Sequence, residues 1–62
     1  MTLDQVVKMY GPKKTEISAN TGFSRMTVHN WFAAGGIPYG SQLILQEHSD
    51  RKLKAKKEDA PK

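Results

Sequence analysis

The sequence predicts a small all-α domain of four to five short helices. Three observations carry that reading. Apolar residues recur at three- and four-residue steps in successive segments. Helix-capping Ser or Thr residues precede these segments and glycines follow them. Strand-like alternation is confined to one short stretch, Lys52–Lys56. At 62 residues the chain is one domain with a small core. It has no cysteine, so neither a disulfide nor a thiolate zinc site can staple it. Oligomerisation is the staple that remains, and a homodimer is expected before any motif is considered.

Thr2 with Gln5 three residues later forms a capping box, and Leu3, Val6, Val7 and Tyr10 follow at helical spacing. Gly11-Pro12 ends the segment, so the first helix is expected over Leu3–Met9. In "KKTEISANTG" Ile17 is the only large apolar residue, and Gly22 closes a second helix over Lys13–Asn20. Ser24 caps a third, in which Val28, Trp31 and Phe32 form one apolar edge. Gly35-Gly36 ends it, which places the helix at Arg25–Ala34.

"GGIPYGS" is a turn-rich connector pinned by Pro38, with Ile37 tucked inward. The next stretch reads in two ways. As a helix, Ser41 caps Gln42–His48. As an α+β alternative, "QLILQE" and "KLKAKK" are strands of a C-terminal hairpin around "HSDR". Leu, Gln and Glu favour the helix, and "HSDR" lacks the glycine that a tight hairpin wants. Leu43, Ile44 and Leu45 are consecutive, and one helix cannot bury all of them against a small core. At least one should face solvent or a partner subunit. The folded domain is expected over residues 1–55, with 56–62 a basic, disordered tail.

The formal charge of +4 is unevenly placed. Up to Asp50, Lys8, Lys13, Lys14 and Arg25 balance Asp4, Glu16, Glu47 and Asp50. The excess lies beyond, in Arg51, Lys52, Lys54, Lys56, Lys57 and Lys62 against Glu58 and Asp59. Such an end either attracts polyanions or solubilises the chain. No apolar run approaches the ~20 residues of a membrane span. The opening "MTLDQVVKMYG" has no signal-peptide pattern. The expectation is a cytoplasmic protein without a membrane partner.

Two short helices joined at Gly22, with another before them, match a helix-turn-helix. Gly22 allows a sharp turn at positive φ, and small Ser18 lets the two helices approach. Ile17, Phe23, Val28 and Trp31 then form the core. The third helix leaves outside Ser24, Arg25, Met26, Thr27, His29, Asn30 and Ala33, with no acidic group among them. A partnerless helix usually shows Glu, Lys and Gln there. This mixture suits base-pair edges: Arg25 can donate twice to guanine and Asn30 can pair with adenine. Met26 and the Thr27 methyl can touch thymine methyls. Arg25 and Met26, then His29 and Asn30 a turn later, are the candidate base contacts. Lys13, Lys14 and Thr15 at the start of the second helix, with Ser24 and Thr27, are the candidate phosphate contacts.

This pattern resembles the Cro family of phage transcriptional repressors, whose docking geometry is well known. The resemblance covers most of the chain. It runs from "VVKMYG" through the motif "KTEISANTGFSRMTVHNW" to "GGIP", "SQLILQ" and "KLKA", with the spacing Ser18, Gly22, Val28, Trp31. It implies a homodimer on a pseudo-palindromic operator in double-stranded DNA, repressing transcription in a bacterial host cell. The family's base-reading positions fall on Arg25, Met26, His29 and Asn30, and its phosphate positions near Lys14, Thr15 and Ser24. Family members end either in helices or in a β-hairpin. Three residues depart from the pattern. Thr21 stands where an apolar residue is common, and Ser18 replaces a more usual alanine, both expected to weaken the core. Arg51 sits where many relatives have glycine.

Two rival classes are weaker. An enzyme would need a nucleophile–base pair, a metal ligand set or a phosphate loop. Asp4, Glu16 and Glu47 are scattered over separate segments, and His29 and His48 lie far apart. No catalytic residue, metal or cofactor is therefore expected, and His48 reads as a charge or cap near a helix C-terminus. A protein-interaction module on the same scaffold predicts no DNA affinity. A regulator of host genes, antitoxin-like, differs only in its target.

Overall fold

A computed structural model describes residues 1–61; Lys62, counted above in the basic tail, lies outside the described residues. The fold is all-α. Its helices are α1 (Leu3–Tyr10), α2 (Lys14–Thr21), α3 (Arg25–Ala34) and α4 (Tyr39–His48), followed by a 3₁₀ turn at Lys57–Asp59. The hairpin alternative is not adopted, and no strand occurs among the described residues.

The capping box of α1 forms as the sequence suggests. The Gln5 amide donates to Thr2 Oγ1 (3.2 Å), and the Thr2 amide donates to Gln5 Oε1 (2.9 Å). Helix α1 buries Val6 and Tyr10 and runs one residue beyond the expected Met9. Asn20 Nδ2 donates to the Tyr10 carbonyl (2.8 Å), tying α2 to the end of α1. Helix α2 is displaced by one residue from its expected span and buries Ile17.

Between α2 and α3, Gly22 takes φ +83, a left-handed conformation that costs a glycine little. The hydroxyls expected to weaken the core close this turn instead. Ser18 Oγ donates to the Phe23 carbonyl (2.6 Å). Thr21 Oγ1 donates to the Ile17 carbonyl (2.7 Å) and accepts from the Phe23 amide (3.3 Å). Both side chains are half-buried, and their polarity satisfies backbone groups that the turn would otherwise leave open. Phe23 meets the edge of Trp31 with centroids 5.0 Å apart. Val28, Trp31 and Ile17 are buried with Ile37, which tucks inward as expected.

Helix α4 starts at Tyr39, three residues ahead of the expected start at Gln42. The correction has a simple cause. Pro38 brings the chain into the helix, and its carbonyl accepts from the Gln42 amide (2.9 Å), so Ser41 lies inside the first turn rather than at the cap. Leu45 is buried, while Leu43 and Ile44 keep 42% and 58% of their surface exposed, as three consecutive apolar residues require.

The segment after α4 explains why no hairpin forms. Gln42, Gln46 and Ser49 lie on one face of α4, at steps of four and three residues. Their side chains accept the amides that a partner strand would otherwise take. Gln42 Oε1 accepts from Lys56 (2.8 Å), Gln46 Oε1 from Ala55 (3.0 Å) and Ser49 Oγ from Leu53 (3.1 Å). Leu53 is buried. The expected disorder past Lys56 is likewise corrected for residues 56–61. The 3₁₀ turn brings Asp59 Oδ2 within 3.2 Å of the Met1 α-ammonium, and Ala60 and Pro61 are half-buried. That ammonium also donates to Gln42 Oε1 (2.8 Å) and to the Lys54 carbonyl (2.7 Å).

Helix α3 and helix α4 end in the same way with different residues. After α3, the Gly36 amide donates to Trp31 O (3.0 Å) and the Gly35 amide to Phe32 O (3.3 Å), with Gly35 at φ +77. After α4, Arg51 donates to Gln46 O (2.7 Å) and Asp50 to Glu47 O (3.1 Å). Here the left-handed residues are Asp50 (φ 57) and Arg51 (φ 63). Aspartate tolerates that region and arginine does so at a cost. Arg51→Gly is therefore expected to stabilise the domain by about 0.5–1 kcal/mol, net of glycine's greater unfolded-state entropy. The exposed Arg51–Glu47 pair lost with it (3.4 Å) contributes little. A thermal melt rising by several degrees is the expected readout.

Candidate nucleic-acid interface

Helix α3 owes its rigidity to both ends. Ser24 Oγ accepts from the Thr27 amide (3.1 Å) at the N-terminus, and the glycine turn closes the C-terminus. Val28 and Trp31 anchor the inner side. With that side fixed, Arg25, Met26, His29 and Asn30 are all exposed, Met26 retaining 69% of its surface. An exposed methionine on a cation-bearing helix face offers a polarisable apolar contact rather than core filling.

Of the expected phosphate residues, Lys13, Lys14, Thr15 and Ser24 are exposed and Thr27 is half-buried. Ser24 Oγ and Thr27 Oγ1 lie 2.8 Å apart, so one hydroxyl donates to the other. The pair has one hydroxyl proton left to offer an outside acceptor. Lys13 occupies the N-cap position of α2, where its side chain makes no cap bond.

The structure joins two residues placed in different groups above. Lys14 Nζ lies 3.2 Å from His29 Nδ1. The same ammonium sits over the Phe32 ring, 5.4 Å from its centroid. Lys14 thus reaches from the start of α2 to the exposed side of α3. Phe32, half-buried, is a component that sequence reasoning assigned only to the apolar edge. The available signal was its position three residues after His29, one turn along the same side of the helix.

The charge on this face is unneutralised by nearby side chains. Among the described residues the ion pairs are Asp4–Lys8, Glu47–Arg51 and Met1–Asp59, none of which involves Lys13, Lys14 or Arg25. Where α1 and α4 end, His48 Nδ1 bonds the Tyr10 hydroxyl (2.9 Å), and burial pushes the Tyr10 phenol above its ordinary value. No group of three or more His, Cys, Asp or Glu side chains among the described residues is placed to hold a metal ion. No helix among them is long and apolar enough to cross a membrane. Comparison with protein-family models, curated proteins and solved structures finds no match to this chain.

Proposed function

We propose that this chain is a sequence-specific DNA-binding repressor of Cro type, reading a pseudo-palindromic operator in the major groove with α3. One observation carries the reading: an acid-free exposed helix face of Arg25, Met26, His29 and Asn30, flanked by the cations that open α2. The side chains on that face match base-edge chemistry. The cations beside it match the phosphate contacts that set register. Exposed Leu43 and Ile44 on α4 support a weak homodimer, which a two-fold symmetric operator would require.

Selection of binding sites from a random DNA pool at moderate salt tests the proposal. Enrichment of a two-fold symmetric site supports it. Weak, salt-sensitive binding without enrichment overturns it and favours a protein-interaction role. Two variants refine the assignment. Arg25→Ala is expected to cost about 1–3 kcal/mol against the selected site and to relax preference at one base position. Lys13→Ala is expected to weaken binding to all sequences alike and to reduce the salt slope by about one. Titrations at several salt concentrations, on selected and on random duplexes, check both.

A further inference from the structure

Lys14 stands where its own helix gains nothing from it. A cation at the first position of α2 opposes the helix dipole, and no carboxylate among the described residues pairs with it. Its ammonium rests instead on α3, between His29 Nδ1 and the face of Phe32. An ammonium has three donors and no acceptor, so in this contact Nδ1 must accept. The proton of the neutral imidazole is then on Nε2, and Nε2–H is the remaining polar group of the exposed ring.

Resting on the DNA-binding reading above, we propose that Lys14 is a positioning residue for base recognition. It holds the His29 ring in place as a single hydrogen-bond donor through Nε2. A fixed donor distinguishes bases by their major-groove edges. Guanine presents two acceptors, N7 and O6. Cytosine presents the N4 amino group, which cannot accept. His29 therefore selects guanine over cytosine at one position of the half-site, and Lys14 governs that choice without touching the base. The consequence separates Lys14 from Lys13. Loss of an ordinary phosphate contact weakens all complexes equally, whereas loss of Lys14 changes which base is preferred.

The experiment compares wild type, His29→Ala, Lys14→Ala, Lys14→Arg and the double alanine variant. Each is titrated against selected duplexes differing by a guanine–cytosine exchange at the position where His29→Ala relaxes preference. Wild type is expected to favour guanine about tenfold. Lys14→Ala should reduce this to about twofold. Lys14→Arg, which still donates to Nδ1, should restore most of it. The double variant should discriminate no differently from His29→Ala alone, because Lys14 acts on the base only through the His29 ring. A Lys14→Ala protein that binds every duplex more weakly but keeps its guanine preference overturns the proposal. So does a His29→Ala protein that relaxes no position. A wild-type protein that selects no site sinks the DNA-binding reading itself, a separate and recognisable failure.

Discussion

Replacing Gln42 by leucine is expected to cost about 3–5 kcal/mol of folding stability, more than any single interaction at the surface. The side chain is fully buried and both ends of its amide are used. Oε1 accepts from the Met1 ammonium and from the Lys56 amide, and Nε2 donates 2.8 Å to the Ile37 carbonyl. Leucine approximates the volume, so the loss reports polarity rather than a cavity. It leaves an ammonium, an N–H and a carbonyl short of a partner, each a desolvated group costing about 1–3 kcal/mol. A chain of this size has roughly 3–9 kcal/mol in total. Urea denaturation followed by helical circular dichroism should show a much lower midpoint with the slope retained. A midpoint within experimental error of wild type would mean that the network forms no stabilising unit.

Trp31→Ala is expected to cost a similar amount, about 3–5 kcal/mol, by a different route. Trp31 is the largest fully buried side chain and packs edge-on against Phe23. It therefore pins α3 to the turn that precedes it. Truncation opens a cavity beneath the proposed recognition helix, so DNA affinity should fall with stability. Trp31→Phe separates the two effects. The Trp31 indole Nε1 is buried with no hydrogen-bond partner among the described residues, so phenylalanine removes an unsatisfied donor along with the volume. Its cost should be clearly smaller than that of alanine. Paired melts of the alanine and phenylalanine variants check the order, and equal losses would count against it.

The first three helices were legible because they carry local punctuation, whereas the start of α4 was misplaced because Pro38 rather than Ser41 leads into it. Thr2 with Gln5, Ser24 as a cap, and the glycines at 11, 22 and 35 are local signals, and the structure places helix ends within a residue of them. The inward residues were legible from local features too: Val28 and Trp31 from their spacing, Ile17 as the only large apolar residue of its segment, and Ile37 from the apolar position it holds in a polar connector. The C-terminal quarter was not, because its order depends on partners far away in sequence. Lys52–Lys56 alternates like a strand, yet its backbone donors are taken by Gln42, Gln46 and Ser49. Those three were visible as a polar stripe at helical spacing, but nothing local says that the stripe binds backbone rather than water. At the candidate interface, exposure of Arg25, Met26, His29 and Asn30 followed from the apolar edge opposite them. The Lys14–His29 contact did not, since it bridges two helices and depends on how closely the turn at Gly22 brings them together.

The Met1 ammonium has a practical consequence for handling the protein. Three acceptors converge on it, and one of them belongs to Asp59. A purification tag fused ahead of Met1 turns that ammonium into a peptide N–H, with one proton to offer and no charge. A tag at the other end keeps the α-ammonium and its charge. Measurements of stability or DNA binding made with the two fusions would then report on two different proteins.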